Sequence, residues 1–196
     1  MTKITFILFF LMASPGLFGQ VGKSPENKKN VPDKTKIESN KAKTKGGPVT
    51  ANDFYRIGTE CQEVNDIEGA MDGFNKALEQ DPKFFPAYLS RGKLRFVQQE
   101  FENAVQDFNK TIEITEKLIG ETKKKGNIKI ILGNHKGAAK DFYFADSMKP
   151  VLGEAIFNRG NVKHFLNDSL GCCEDLRKSG DLGYVKSFEY LKKYCQ

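Results

Sequence analysis

The chain has few of the residues on which metal, redox and membrane chemistry depend. Two histidines and four cysteines occur in 196 residues, and no histidine has a cysteine or carboxylate pair at the spacing of metal ligands. Four cysteines are also too few for a disulfide-dense scaffold. No apolar run reaches the length of a membrane-spanning helix. We therefore expect no metal, no cofactor and no transmembrane span.

Catalytic motifs are also lacking. No stretch has the alternating pattern of a β-strand, so no glycine-rich phosphate loop follows a strand. Acid, base and nucleophile groups that would converge on a substrate are not apparent in the sequence. The sequence therefore predicts a protein that is not an enzyme.

The basic charge of the chain, formally +6, lies in its N-terminal part. Residues 1–19 carry one lysine (+1), and residues 20–50 carry eight lysines against three acids (+5). Residues 51–196 carry 22 basic and 22 acidic residues, so their net charge is zero. An anionic partner attracted by net charge would bind residues 20–50. The lack of aromatic residues there argues against binding of nucleic acid.

The first 19 residues have the order of a secretory signal peptide. Lys3 gives a positive start, residues 4–13 form an apolar core, and Gly19 is a small residue suited to cleavage before Gln20. No cysteine lies near this position to accept a lipid. We expect an exported protein, either periplasmic or secreted.

Residues 20–50 are rich in Lys, Ser, Asn and Pro and have no periodic apolar pattern. Such a segment buries too little apolar surface to offset its chain entropy, which predicts a disordered linker. Its role is either that of a solvated spacer or that of a weak electrostatic attachment to an anionic envelope.

The rest of the chain repeats with a period of 34 residues, in units that span 51–84, 85–118, 119–152 and 153–183. The recurring residues are Gly58, Gly92, Gly126 and Gly160, then Ala70, Ala104 and Ala138, then Phe74, Phe108 and Phe142, with Pro82 and Pro150 closing two units. Apolar positions at helical spacing predict a pair of helices in each unit. The small residues would let the paired helices approach closely, with phenylalanine filling the space beside them.

This pattern resembles the tetratricopeptide repeat (TPR) family over residues 51–183, roughly two thirds of the chain. The first unit has the family's Gly, Ala, Phe, Ala and Pro at Gly58, Ala70, Phe74, Ala77 and Pro82. The resemblance implies an all-α, right-handed α-solenoid of four helix pairs. Residues 184–195 would form a capping helix over the last pair and complete a TPR domain that spans 51–196.

The second unit departs from the family pattern at its end. Glu116 stands where proline is usual, so the second helix of this unit has no clear stop. Gly120 and Gly126 lie in the first helix predicted for the third unit, and interior glycine costs about 1 kcal/mol of helix stability. The prediction of this helix therefore rests on the least regular pattern, and we expect it to be a flexible point of the repeat.

In TPR proteins the first helices line a concave groove that binds a peptide or a partner protein. The resemblance places this role on Tyr55, Thr59, Leu89, Lys93, Phe96, Asn127, Phe157, Asn161 and His164. Apolar anchors mixed with polar donors suit a peptide. The alternative for each apolar member is a place in the core between repeats. His135 falls at an apolar position of a second helix, and we expect it to be partly buried.

Two functions follow from this organisation. The first is a non-catalytic interaction module, an exported adaptor, scaffold or assembly factor that binds a protein or peptide in its groove. The alternative is an envelope-attached structural protein whose lysine-rich segment binds an anionic surface polymer while the repeats act as a spacer.

The cysteines near the predicted cap are candidates for a disulfide. Cys173 lies seven residues before the turn at 180–183 and Cys195 twelve after it, a mismatch of about one helical turn in an antiparallel pair. A Cys173–Cys195 bond is favoured, and Cys172–Cys195 is the competing pair. Cys61 is expected to be a free thiol in the core, or an interchain partner if it is exposed.

Overall fold

The computed structural model describes residues 49–195, so the predicted signal peptide (1–19) and nearly all of the predicted linker (20–50) lie outside the described residues. The helices are α1 (Ala51–Glu63), α2 (Ile67–Gln80), α3 (Phe85–Val97), α4 (Phe101–Ile131), α5 (His135–Ser147), α6 (Lys149–Phe165), α7 (Ser169–Asp181) and α8 (Lys186–Tyr194). The described residues contain no strand, which confirms the predicted all-α class. None of their helices is both long and apolar enough to cross a membrane.

The turn inside each unit has the same conformation. A residue with φ between 59° and 72° recurs every 34 positions, at Asn65, Gln99, Gly133 and Asn167. In three of the units the next residue accepts a hydrogen bond from the backbone N–H three positions on, and these residues are Asp66, Asn134 and Asp168. The side chain thereby satisfies a donor that the start of a helix leaves free. The 34-residue period is thus also a period of backbone geometry.

Paired helices approach each other closely at the repeated glycines. A Cβ atom on Gly58 would lie 2.8 Å from the ring of Phe74, which is fully buried. In the third unit a Cβ atom on Gly126 would lie 3.0 Å from the ring of Phe142. The predicted reason for the glycines therefore holds, because a larger residue would force the two helices apart.

A single helix, α4, runs across the boundary predicted between the second and third units. Helix α4 runs for 31 residues and joins the second helix of one unit to the first helix of the next. No proline stands near residue 118, and Glu116 pairs through its exposed carboxylate with Lys178 at 2.8 Å. Without a residue that removes or redirects backbone hydrogen bonds, the helix continues. The expectation of separate helices in these two units is therefore corrected.

The fourth unit packs directly on the second. Helix α6 lies along α4, and Lys93 of α3 pairs with Glu154 of α6 at 2.5 Å. The end of α4 packs on α5, whereas α5 has little contact with α6. Residues 119–148 therefore form a helical hairpin that leaves the stack of helix pairs, and we call this hairpin the arm.

An asparagine on the second helix of a unit marks where the next unit stacks. Asn75 accepts a hydrogen bond from Arg91 at 2.6 Å, and Asn109 accepts one from Arg159 at 2.8 Å. The corresponding position of the third unit holds Tyr143, whose side chain is 79% exposed. The third unit thus lacks the residue that receives the next unit, and the fourth unit takes its place on the second.

The same two arginines neutralise buried carboxylates. Arg91 donates to both oxygens of Asp107 at 2.9 and 2.7 Å, and Arg159 donates to both oxygens of Asp175 at 2.8 and 2.6 Å. The carboxylate side chains are only 3% and 6% exposed. A second basic side chain supports each of them. Loss of an arginine would therefore leave a poorly compensated charge in the interior.

Helix α8 covers the last helix pair, in the place predicted for a cap. Cys173 and Cys195 form a disulfide with their Cα atoms 5.7 Å apart, the pair that the sequence favoured over Cys172–Cys195. Cys61 and Cys172 are free and buried, and burial raises the pKa of both thiols. The oxidised pair thus ties the end of the cap to α7.

Candidate protein-binding site

Two of the predicted groove residues belong to the core. Leu89 and Phe157 are 8% and 5% exposed. Leu89 packs in the cluster formed between the second and fourth units. Phe157 is covered by the rings of Tyr184 and Tyr190, each with its centroid 4.9 Å away. Neither can line a ligand surface, which corrects the expectation for both.

Other predicted groove residues join neighbouring parts of the fold. The ring of Tyr55 lies 5.5 Å from that of Phe84, and its hydroxyl lies 3.3 Å from the hydroxyl of Ser90. Lys93 is held by Glu154 of the fourth unit. These side chains stabilise the contacts between units, which is the alternative that the sequence left open for Tyr55.

Phe96 and His164 are part of an aromatic cluster that crosses the stack. The ring of Phe165 lies 5.3 Å from that of Phe96 and 5.5 Å from that of Phe101. His164 stacks on Tyr194 of the cap at 4.0 Å. Phe165 is 57% exposed, so the cluster shows one aromatic ring to solvent while it connects the second unit, the fourth unit and the cap.

The remaining predicted groove residues do not come together. Thr59 is half-buried on α1, where its hydroxyl donates to the carbonyl of Arg56, and Asn161 is half-buried on α6. Asn127 is exposed on the arm. Because the arm leaves the stack, a groove through all four units is interrupted. His135 is exposed rather than partly buried, since it begins α5 at the end of the arm.

A cavity of about 880 Å³ opens at the base of the arm. Its walls come from the turn between α2 and α3, the start of α3, the middle of α4 and the end of α5. The apolar lining residues are Pro82, Phe84, Phe85, Pro86, Tyr88, Ile114, Leu118, Phe144 and Met148. All nine of these residues are half-buried or exposed. The cavity therefore presents a concentrated apolar surface to solvent.

Charged side chains of both signs stand around this apolar lining. Three lysines and three acids contribute, namely Lys83, Lys110, Lys117, Asp81, Glu113 and Glu121. Lys110 donates to Glu113 at 2.7 Å, and this hydrogen bond raises the pKa of Lys110 and lowers that of Glu113. Both groups stay charged near neutral pH. Among the described residues, no group of three or more His, Cys, Asp or Glu side chains is placed to hold a metal ion.

The helix pairs are similar to those of solved repeat structures. The N-terminal domain of stress-induced protein-1 (STI-1) from C. elegans has a TM-score of 0.55 and 18% identity, covering 74% of this chain and 94% of that one. The chain has the tetratricopeptide-repeat fold. A tetratricopeptide repeat protein from Parabacteroides merdae matches with a TM-score of 0.34 and 18% identity, over 82% of this chain and 77% of that one. No protein-family model matches the chain, and no curated protein matches it.

The cavity of this TPR domain was missed by sequence reasoning, although the sequence carries a signal for one wall. Phe84, Phe85 and Pro86 put consecutive apolar residues at the turn between two units, where polar turn residues are the norm. The opposite wall depends on α4 continuing past residue 118 and on the return of α5. The 34-residue spacing alone does not predict either.

Proposed function

We propose that this TPR domain is a non-catalytic module that binds a protein partner, with an apolar segment of the partner in the cavity at the base of the arm. The observation that carries this proposal is the apolar, solvent-accessible lining of a cavity of about 880 Å³. Cavities that bind ligands fall in the range of about 300–1,000 Å³. Aromatic rings supply large contact areas to such a site at low entropic cost.

The chemistry of the lining favours a peptide segment as the occupant. Apolar walls accept aliphatic or aromatic side chains, and the charged groups at the edge can hydrogen-bond to the peptide backbone that carries them. The balanced signs of the edge charges, with Lys110 and Glu113 already paired, give no strong preference for a partner of one net charge. Shape and apolar contact would therefore determine which segment binds.

We further propose that the module acts outside the cytoplasm as an exported adaptor, scaffold or assembly factor. The signal-like residues 1–19 and the Cys173–Cys195 disulfide support this location, because structural disulfides persist in oxidising compartments. Residues 20–50 would then be the spacer that separates the domain from its point of emergence. Attachment of this segment to an anionic polymer is the competing function.

Site-specific photo-crosslinking in the native cell tests the cavity. A photoreactive amino acid is placed at Phe144 in the cavity and, as a matched control, at Phe188 on α8; these side chains are 43% and 58% exposed. We expect a discrete protein adduct from position 144 and none from position 188. Phe85→Ala should raise the partner concentration needed for half-maximal adduct formation by about 30-fold. This change corresponds to about 2 kcal/mol, as expected when a hot-spot side chain is truncated.

Deletion of residues 20–50 separates the two functions. The adduct at position 144 should persist in the shortened chain if the cavity binds the partner. Loss of the adduct together with salt-sensitive loss of envelope association would instead favour the lysine-rich segment. Equal adducts at positions 144 and 188 would contradict a specific site.

A further inference from the structure

The end of the arm concentrates positive charge within an otherwise acidic domain. Residues 122–140 contain six lysines and no acid. Since residues 51–196 carry 22 basic and 22 acidic groups, the remainder of the domain carries 16 basic and 22 acidic groups, a net charge of −6. The neutral total therefore conceals a dipolar distribution, with the basic part on the hairpin that projects from the stack.

Aliphatic side chains are exposed at the same end. Ile128, Ile130, Ile131 and Leu132 are 55%, 44%, 83% and 75% exposed. Ile131 corresponds in the repeat to Phe165, which packs on the rings of Phe96 and Phe101 in the stack. Because the arm stands apart from the other helix pairs, its own apolar residues have no comparable cover among the described residues.

We propose that the end of the arm inserts into the interface of an anionic lipid bilayer. Ile131 and Leu132 enter the boundary between headgroups and acyl chains. Lys129 is paired with Asp141 at 2.8 Å, so the other five lysines of residues 122–140 contact the lipid phosphates. An amphipathic segment binds a membrane in this way when apolar burial and attraction to anionic lipid act together. Charge complementarity also sets the orientation, since an anionic surface repels the acidic remainder of the domain and attracts the arm.

The spacing along α4 fits such an insertion. Lys125 precedes Ile131 by six residues, which is about 9 Å at the rise of an α-helix. With the axis of α4 close to the bilayer normal and Ile131 buried by about 5–10 Å, a depth typical of apolar groups at membrane interfaces, the Cα atom of Lys125 would lie at headgroup depth. Lys123 and Lys124 are one to two residues further out and exposed. A nucleic acid would satisfy the lysines but would leave the exposed aliphatic side chains without a role.

Fluorescence of an introduced tryptophan tests the insertion, since the chain contains no tryptophan of its own. Residues 20–196 include every described residue and omit the apolar N-terminal segment, which would itself bind lipid. Leu132→Trp and, as the control, Val97→Trp replace side chains that are 75% and 74% exposed. We expect a blue shift for Leu132→Trp with phosphatidylglycerol vesicles, no shift with phosphatidylcholine vesicles, and no shift for Val97→Trp with either.

Matched charge variants assign the binding to the arm or to the linker. Replacing Lys123, Lys124 and Lys125 by Gln should weaken vesicle binding about 100-fold, because each lysine near an anionic surface contributes about fivefold. The same change at Lys41, Lys43 and Lys45 should weaken it less. If only the linker variant loses binding, or if the unaltered chain binds no anionic vesicle, the proposal is overturned.

A final variant separates a bilayer from other polyanions. Ile131→Ser combined with Leu132→Ser changes exposed side chains and should preserve the helical circular dichroism. We expect this variant to lose at least tenfold in vesicle affinity, consistent with about 0.8 kcal/mol for each buried CH₂. The lipid assignment is refuted if the variant keeps the vesicle affinity of the unaltered chain and both proteins bind soluble polyglutamate as tightly as they bind vesicles. That result would show a general polyanion site. The cavity proposal is unaffected by either result.

Discussion

Arg159 donates a hydrogen bond to Asn109 at 2.8 Å, across 50 positions of sequence. The equivalent bond between Arg91 and Asn75 spans 16 positions. The difference is 34 positions, the length of one unit, so the chain skips a whole unit between these two contacts. The order of the units in space is first, second and fourth, with the third projecting as the arm.

The buried ion pair at this contact should contribute strongly to stability. Arg159→Ala leaves the Asp175 carboxylate, 6% exposed, with Lys163 as its ionic partner. We expect a loss of about 2–4 kcal/mol in the free energy of unfolding, measured by urea denaturation followed by circular dichroism. Asn109→Ala is the control, because it removes only the hydrogen bond between units and should cost about 1 kcal/mol. Equal, small losses in both variants would contradict the assigned role of the arginine.

The continuity of α4 can be tested at the position where the family has proline. Glu116→Pro removes a backbone donor inside a helix that continues to Ile131 and should destabilise the domain by about 3 kcal/mol. Glu116→Ala removes only the exposed pair with Lys178 and should cost less than about 1 kcal/mol. Thermal unfolding of the two variants gives the comparison. A proline variant as stable as the alanine variant would mean that the helix ends before residue 116.

The sequence predicted the helix pairs better than their arrangement. Gly58 and Phe74 are spaced as the packing requires, so repetition of that spacing was sufficient to predict each pair. Stacking depends instead on which surfaces meet after folding. The absence of proline at position 116 was visible in the sequence. The significance of the exposed Tyr143 was not, because it depends on the hydrogen bonds that Asn75 and Asn109 accept at the equivalent positions. The route of the arm could not be derived from spacing.

Prediction of the candidate site was limited for the same reason. First-helix positions include side chains such as Phe96 that lie near the surface, and others such as Phe157 that a neighbouring element buries. Helical periodicity gives the face of a helix but not the element that will cover it. The cavity unites a turn, two helices of the second unit and the returning α5, so no single stretch of sequence contains it.

Two glycines in similar helices should respond oppositely to alanine. A Cβ atom on Gly58 would lie 2.8 Å from the Phe74 ring, whereas a Cβ atom on Gly120 would meet nothing within 4 Å. We expect Gly58→Ala to lower the free energy of unfolding by about 1–3 kcal/mol through overpacking. Gly120→Ala should raise it by up to about 1 kcal/mol because alanine favours the helix. Urea denaturation measures both, and the same sign for the two variants would count against the packing account.

The disulfide should hold the cap on the last helix pair. Cys195→Ser removes a bond between residues 22 positions apart and should cost about 3 kcal/mol. Hydrogen exchange is expected to accelerate in α8 more than in α1, because the loss is local to the cap. Cys172→Ala leaves the bond intact and serves as the control. Exchange in α8 that stays as slow as in the unaltered chain would show that apolar packing alone secures the cap.

The two ends of the arm lie close together, since Leu118 and Met148 both line the same cavity. Ile119, at the very start of the arm, packs on the apolar cluster between the second and fourth units. The polar contacts that stack these units, Arg159 on Asn109 and Glu154 on Lys93, involve no residue of the arm. A segment that departs from and returns to one place can be lengthened, trimmed or exchanged without moving the rest. The arm is therefore an insertion on a framework of three stacked helix pairs. Its length and surface chemistry can vary independently of the repeats that support it.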